Sequence, residues 1–332
     1  MERKGIALAG NILTDNVKMV GIYPEQGMLA TIEDETLAVG GCVPNTGIDI
    51  AKLDPELKIW AIGRVGNDYK GEYVIDQMKK VGMDVSKVIV SKTQPTSYSD
   101  VITVKETGAR TFFHNRGANK EFCPEDIDID ALECKMLHIG YIMLLDKFDT
   151  LNEDGTTPMS NFLKKVREKG IKTSVDLVSE SSGNFLKVVK ATLPHCDYVI
   201  INEIESGFIA GVEPRDEKGE LITENLKVIA QKLMELGVHE KVIIHCPEIG
   251  VCLDKSGKYT QVPSRKLKKG FIKGSVGAGD AFCAGSLYSI YNGYEDAKTL
   301  DFANLVAINC LSEKDSISGV RHKDRLEDVL KD

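Results

Sequence analysis

The stretch Gly274-Ser-Val-Gly277-Ala278-Gly279-Asp280 runs directly into an apolar segment read as a helix over Ala278–Tyr291. Gly277 and Gly279 let backbone approach a ligand without a Cβ in the way. The first N–H groups of a helix have no intrahelical partner, and the helix dipole adds positive potential. Together these make a cradle for an anion, and a phosphate is its natural occupant. Two familiar phosphate motifs fail here. Gly274 and Gly279 have the spacing of a P-loop, but Asp280 stands where that loop needs lysine. Gly277-x-Gly279 begins a dinucleotide fingerprint, but Phe282 occupies its third glycine position. A carboxylate beside an anion site repels a resting phosphate, so Asp280 needs another purpose. Removing the proton from an attacking hydroxyl is the economical one. Capping the helix is the simpler alternative.

Two further elements could carry chemistry. Val39-Gly40-Gly41-Cys-Val-Pro-Asn45 opens an apolar helix that continues through Leu53. Its glycines admit close backbone approach, and Asn45 offers both a donor and an acceptor, which suits a polyhydroxylated ligand. A tight turn capped by Asn45 is the bland reading. Asn202-Glu-Ile-Glu205 follows the strand expected over Tyr198–Ile201. Ligands of α/β sheets gather at strand C-terminal ends. There Glu205 could hold Mg²⁺ through its water shell, because magnesium dehydrates reluctantly. Acidic residues at a helix start are also ordinary.

These elements need a scaffold, and the pattern supplies one. Strands are expected over Lys4–Ala9, Ile59–Val65, Met136–Ile139, Lys172–Asp176, Tyr198–Ile201 and Val242–Cys246. Between and after them come helices over Tyr69–Val81, Asn161–Lys169, Thr223–Leu236, Ala278–Tyr291 and Leu300–Leu311. Alternation of this kind argues βαβ units and a largely parallel sheet. Residues 15–34 carry no clean helix. Lys87–Val90, Tyr98–Val104 and Arg110–His114 read as strands, with a turn at Glu106-Thr-Gly-Ala109. A hairpin inside an α/β chain suggests an inserted subdomain of the kind that forms lids or dimer surfaces.

Composition removes several classes. Apolar residues make up 42% of the 332 and charged residues 28%, so collagen-like, disordered and coiled-coil readings are out. Lys plus Arg number 42 against 50 Asp plus Glu, a balance of −8, which disfavours nucleic acid and anionic membranes as partners. No apolar run approaches the roughly 20 residues of a membrane helix, and no secretory h-region is visible. Eight cysteines without a Cys-x-x-Cys pair read as buried thiols of a cytoplasmic protein. His245-Cys246 is a poor metal pair, since neighbours on a strand point to opposite faces. The run Arg265–Lys269 reads as a solvated loop.

The three chemical elements, in this order, resemble the ribokinase / phosphofructokinase-B family of sugar kinases. The likeness extends over Gly10-Asn-Ile-Leu-Thr-Asp15, Gly63-Arg-Val-Gly66-Asn-Asp68, Gly108-Ala-Arg110, Gly117-Ala-Asn119 and Ala303-Asn304, covering nearly the whole chain. It implies a three-layer α/β/α sandwich with a mostly parallel central sheet. The body would take residues 1–14, 35–93 and 116–332, and a small β-sheet lid residues 15–34 and 94–115. It implies transfer of the γ-phosphoryl group of ATP, with Mg²⁺, to a hydroxymethyl group of a sugar or related compound. Asp280 would be the base and Gly277, Ala278 and Gly279 the anion hole. Asp15, Gly40, Gly41 and Asn45 would bind the acceptor. Arg116 and Asn119 are further acceptor candidates, although Arg116 could pair with a lid carboxylate instead. Asn202, Gly250 and Asn304 would meet the nucleotide, and Glu205 the magnesium.

Three departures qualify the likeness. Gly274-Ser275 stands where the family signature usually has Asp-Thr, which weakens the expectation of a monovalent cation beside that loop. Pro247, with no N–H, falls in a strand end that usually contacts the nucleotide. Leu13 replaces an asparagine of ribokinases. Nucleoside and sugar-acid kinases share the scaffold and remain alternatives. So does a non-catalytic ligand-binding regulator, and an NAD-dependent oxidoreductase is disfavoured by the failed fingerprint. A homodimer formed through the lid is a further expectation.

Overall fold

The computed structural model describes residues 3–178 and 183–331. The first strand explains the architecture. β1 (Ile6–Gly10) is wholly buried, and its alternate side chains enter two different cores. Ala7 and Ala9 pack in one, and Ile6 and Leu8 in the other. A strand with period 2 and no polar face must lie in the middle of a sheet covered on both sides.

The strands that follow are β2 (Leu13–Val20), β3 (Ile32–Gly40), β4 (Ile59–Gly66), β5 (Asp84–Ser91), β6 (Ser97–Val104) and β7 (Arg110–Asn115). After them come β8 (Met136–Ile142), β9 (Lys172–Leu177), β10 (Tyr198–Asn202), β11 (Lys241–His245), β12 (Ile249–Asp254) and β13 (Tyr259–Pro263). Nine of these form one sheet in the order β13-β12-β11-β10-β9-β8-β1-β4-β5. Pairing is parallel from β5 through to β11, and β12 and β13 are added antiparallel at one edge.

Helices α1 (Cys42–Leu53), α2 (Tyr69–Lys80), α3 (Asp146–Asp149), α4 (Pro158–Glu168) and α5 (Phe185–Thr192) precede α6 (Glu203–Ala210), α7 (Thr223–Glu235), α8 (Ala278–Tyr291) and α9 (Asp296–Leu311). Helices α3, α4, α5 and α7 contribute to the core with Ala7 and Ala9, and α1, α2, α8 and α9 to the core with Ile6 and Leu8. The three-layer α/β/α expectation therefore holds. Helix α8 is buried continuously from Asp280 to Ser289, as an all-round apolar helix must be.

The remaining strands make a separate four-stranded sheet, β3-β2-β6-β7, which is the lid. Its strands reach further than residues 15–34 and 94–115. β2 begins at Leu13 and β3 ends at Gly40, so the chain re-enters the body at Gly41 and not at 35. The run Ile32-Glu-Asp-Glu-Thr conceals this, because five exposed residues at an edge strand show no alternation. β5, in contrast, belongs to the large sheet. All eight cysteines are free, and seven are buried. No helix among the described residues is long and apolar enough to cross a membrane.

Candidate active site

The C-terminal ends of the parallel strands converge on the start of α8. Gly277 is the N-cap, with φ 77°, and a Cβ there would lie 2.4 Å from Ser316 Cβ. The left-handed turn and the tight packing both demand glycine. At Gly279 a Cβ would lie 3.4 Å from His245 Cε1, an ordinary contact. The His245 ring of β11 is therefore the nearest group to that position.

Asp280 lies in the first turn and does not cap it. Asn45 Nδ2 donates to its Oδ2 at 2.9 Å, and the Tyr141 hydroxyl lies 2.7 and 2.9 Å from its two oxygens. Asn45 Oδ1 in turn accepts from Ser316 Oγ at 2.8 Å. Burial raises the Asp280 pKa, and the Tyr141 and Asn45 hydrogen bonds partly offset it. A raised pKa at a fixed, 7% exposed carboxylate suits a proton acceptor. The carboxylate retains lone pairs beyond those these donors occupy.

Gly40 and Gly41 bring the lid's re-entry against this centre. A Cβ on Gly40 would sit 2.6 Å from Asp15 Oδ2, and one on Gly41, at φ 89°, 2.4 Å from Asn11 O. Asp15 stands on β2 above Asp280. Burial first, and then the Asp280 charge, push its pKa up to about 7. It lines a cavity of about 620 Å³ between lid and body, with Val17, Ala38, Val101, Arg110 and Ser316 among the other walls.

Two acceptor candidates are otherwise engaged. Asn119 is fully buried; its Nδ2 donates to Asn11 Oδ1 and its Oδ1 accepts from Ile12 N. These bonds tie it into the turn from β1 into the lid. Arg116 is bound by Asp146, which lies on the body, and donates to Met143 O at 3.2 Å. Both bonds are made by Nη1.

The nucleotide candidates fall in one row across the strand ends. Asn202 is in register with His245, His245 with Gly250, and Gly250 with Val262, whose carbonyl accepts from Asn304 Nδ2 at 3.3 Å. His245 packs on the Phe282 ring of α8 at 4.9 Å between centroids. Asn202 and Glu205 form a reciprocal capping box for α6, the ordinary role of such a pair at a helix start. Arg265 is paired with Asp301 and Glu327, as a solvated loop residue would be.

Three members of the site escaped the sequence reading: Tyr141, Ser316 and Asp176. Tyr141 lies at the end of β8 and Asp176 near the end of β9, where the strand-end rule could have flagged them. Asp176 has its pKa raised by burial, then by the Glu205 and Asp280 charges. Three carboxylates thus share one end of the sheet. Ser316 sits in the segment after α9, and no spacing signal marks it.

Residues 7–323 match the pfkB family of carbohydrate kinases. The chain is 24% identical over 329 residues to a ribokinase of Schizosaccharomyces pombe, covering 95% of this chain and 94% of that one. It is 23% identical over 318 residues to a 2-dehydro-3-deoxygluconokinase of Bacillus subtilis, covering 92% and 90%. Among solved structures, the Arabidopsis thaliana ribokinase complexed with ribose and ATP superposes with a TM-score of 0.80 at 18% identity, covering 100% of both chains. The family match runs along almost the whole chain, and the protein belongs to the pfkB family of carbohydrate kinases, phosphotransferases that act on an alcohol group.

Proposed function

We propose that the protein transfers the γ-phosphoryl group of ATP to a hydroxymethyl group of a sugar or related compound held between Asp15 and Asp280. The observation that carries this reading is the placement of Asp280. It is a buried carboxylate of raised pKa, fixed by Tyr141 and Asn45, in the first turn of a helix whose N-terminus is bare. Asp280 takes the hydroxyl proton as the oxygen attacks phosphorus, and ADP leaves. The N–H groups of Gly277, Ala278 and Gly279 receive the charge that develops on the transferred group. Asp15, with Gly40, Gly41 and Asn45 beside it, orients the acceptor, while Asn202, Gly250 and Asn304 line the nucleotide side.

Glu205 and Asp176 are hard oxygen donors at the same strand ends, a chemistry that fits magnesium held through water. When bound, the ion would neutralise charge on the β- and γ-phosphates. The monovalent cation is a separate question, and Gly274 bears on it. A side chain at position 274 would lie 2.7 Å from Lys314 O and 2.9 Å from Glu313 O, so an Asp would not fit there without a shift.

Nucleoside and sugar-acid acceptors are the alternatives on the same machinery. A purely ligand-binding role leaves the fixed base without a purpose. The lid also exposes Ile22, Met28, Leu29, Ile32, Phe112 and Phe113, with Leu29 at 88%, a surface suited to a second copy of the chain. Sedimentation of the intact protein reads that directly. Asp280→Asn tests the central reading. It keeps the shape and should lower kcat by about 10²–10⁴ with ATP affinity retained. A variant keeping more than half of wild-type kcat would refute it.

A further inference from the structure

Tyr141 fixes Asp280, yet the sheet does not fix Tyr141. Pairing of β8 with β1 ends at Gly140, and pairing with β9 is irregular between Ile139 and Ile142. Tyr141 stands in that gap. Its carbonyl accepts instead from Leu144 N at 3.1 Å, which closes a turn directly after the strand, and from Asn11 Nδ2 at 3.4 Å. The phenol hydroxyl is the far end of a long lever. A small rotation of the turn carries it off Asp280, where its hydrogen bonds are 2.7 and 2.9 Å long.

The chain does not favour this turn by itself. Met143, buried and with a Cβ, sits at φ 83°, in the left-handed region where glycine is the usual occupant. Such a conformation persists only when its surroundings over-determine it. Asp149 supplies that constraint. Its Oδ2 accepts from both Met143 N and Leu145 N at 2.8 Å. Two backbone donors converging on one anion from a left-handed turn make a small anion-binding concavity, filled here by the chain's own side chain. Arg116 Nη1 donates to Met143 O at 3.2 Å and holds the same turn from the end of β7. The support is rigid, because Phe148 of α3 is fully buried, with its ring 5.2 Å from that of Phe122 and 5.6 Å from that of Phe162.

Asp149 is a costly group to bury. Its Oδ1 is buried without a hydrogen-bond partner among the described residues. Burial pushes its pKa up to about 7 although both N–H bonds lower it; of the charged groups facing it, Arg116 lowers it and Asp146 raises it. A glycine at 143 would take the same φ with no carboxylate to hold it.

We propose that Asp149 is a positioning residue for phosphoryl transfer: through the turn Met143–Leu145 it aims the Tyr141 hydroxyl at Asp280. This rests on the reading of Asp280 as the base given above.

The test follows Tyr141 itself. The intact protein is made with 3-fluorotyrosine at its ten tyrosines, and Y141F identifies the fluorine signal of Tyr141 by its disappearance. D149L removes the acceptor, and D149A does the same where the larger side chain disturbs the fold. Either should shift or broaden the Tyr141 signal. D149N, which keeps an acceptor oxygen, should leave it in place. In parallel, kcat is read with ribose, fructose, gluconate and adenosine as acceptors. In D149L it should fall about tenfold or more, the factor that one charge-assisted hydrogen bond supplies, with ATP Kd unchanged. The double variant D149L/Y141F should lose no more than the worse single one. A Tyr141 signal unmoved in D149L and D149A would overturn the proposal, as would a signal moved equally in D149N. So would losses that multiply in the double variant, which would make Asp149 a support for the loop alone. A signal that moves while kcat holds in D149L would overturn it too, because the aim of the hydroxyl would not matter to transfer. A signal that moves with no turnover of any acceptor would leave the positioning standing and sink the kinase reading instead.

Discussion

Asp15→Asn separates what the site does for the reaction from what it costs the fold. In an unfolded chain this carboxyl titrates at 3.8, and in the folded protein at about 7. Between those values the native state binds more protons than the unfolded one, so stability falls as pH rises. The contribution is intact below about pH 4 and lost by the time pH passes 7. A displacement of about three pH units is worth about 4 kcal/mol in a dry site. Asp15 keeps some access to the cavity, so about 2 kcal/mol is the figure to expect. Asparagine keeps the shape and removes the charge. Urea denaturation at pH 8 should therefore show the variant about 2 kcal/mol more stable than wild type, with the gap closing toward pH 4.5. The same change removes one or two charged hydrogen bonds to the acceptor, each worth about 1.5–3 kcal/mol. Acceptor KM should rise roughly tenfold to several-hundred-fold while ATP Kd holds. A stability difference independent of pH would refute the buried-charge argument. Equal losses for acceptor and nucleotide would refute the acceptor assignment.

Tyr141→Phe removes the hydroxyl that donates to Asp280, so the pKa of that carboxylate should climb further. The acid limb of the kcat–pH profile should move to higher pH, and an unmoved limb would show that the hydroxyl does not tune the base. Gly279→Val and Gly277→Val should fail differently. At 279 the new Cβ has room, so the protein folds but kcat collapses as branches enter the cradle; at 277 the positive φ and the Ser316 contact should lower thermal stability as well. Melting curves beside kcat decide it, and normal turnover in Gly279→Val would remove the cradle from the reaction. Glu205→Gln should shift the Mg²⁺ titration of activity to higher concentration, and an unchanged titration would remove Glu205 from the metal assignment.

The layered body was legible in the sequence because buried parallel strands and amphipathic helices carry strong periodic signals. Helix α8 matches its expected span of Ala278–Tyr291, and at its head the left-handed turn at Gly277 requires glycine. Partners brought together by topology were not legible. Tyr141 and Asn45 lie far from Asp280 along the chain, and nothing local to either residue announces the contact. For Asn119 the residue type was legible as one that suits a ligand, but its burial and its bonds to Asn11 and Ile12 were not.

The lid is joined to the body at four crossings, and the first two lie beside Asp15. The chain leaves at Asn11–Leu13 and returns through Gly40–Gly41, whose backbone abuts Asp15 and Asn11. It leaves again at Thr96, where Asp68 grips both backbone and hydroxyl, and returns through Gly117, packed on Pro95 and Ser97. The far turns around 21–31 and 105–109 are exposed and touch none of these seams. For anyone redesigning the enzyme, this divides the lid into two territories. The outer turns can be lengthened, tagged or exchanged between relatives without touching those crossings. A side chain added at Gly40 or Gly41 presses directly on Asp15 or Asn11.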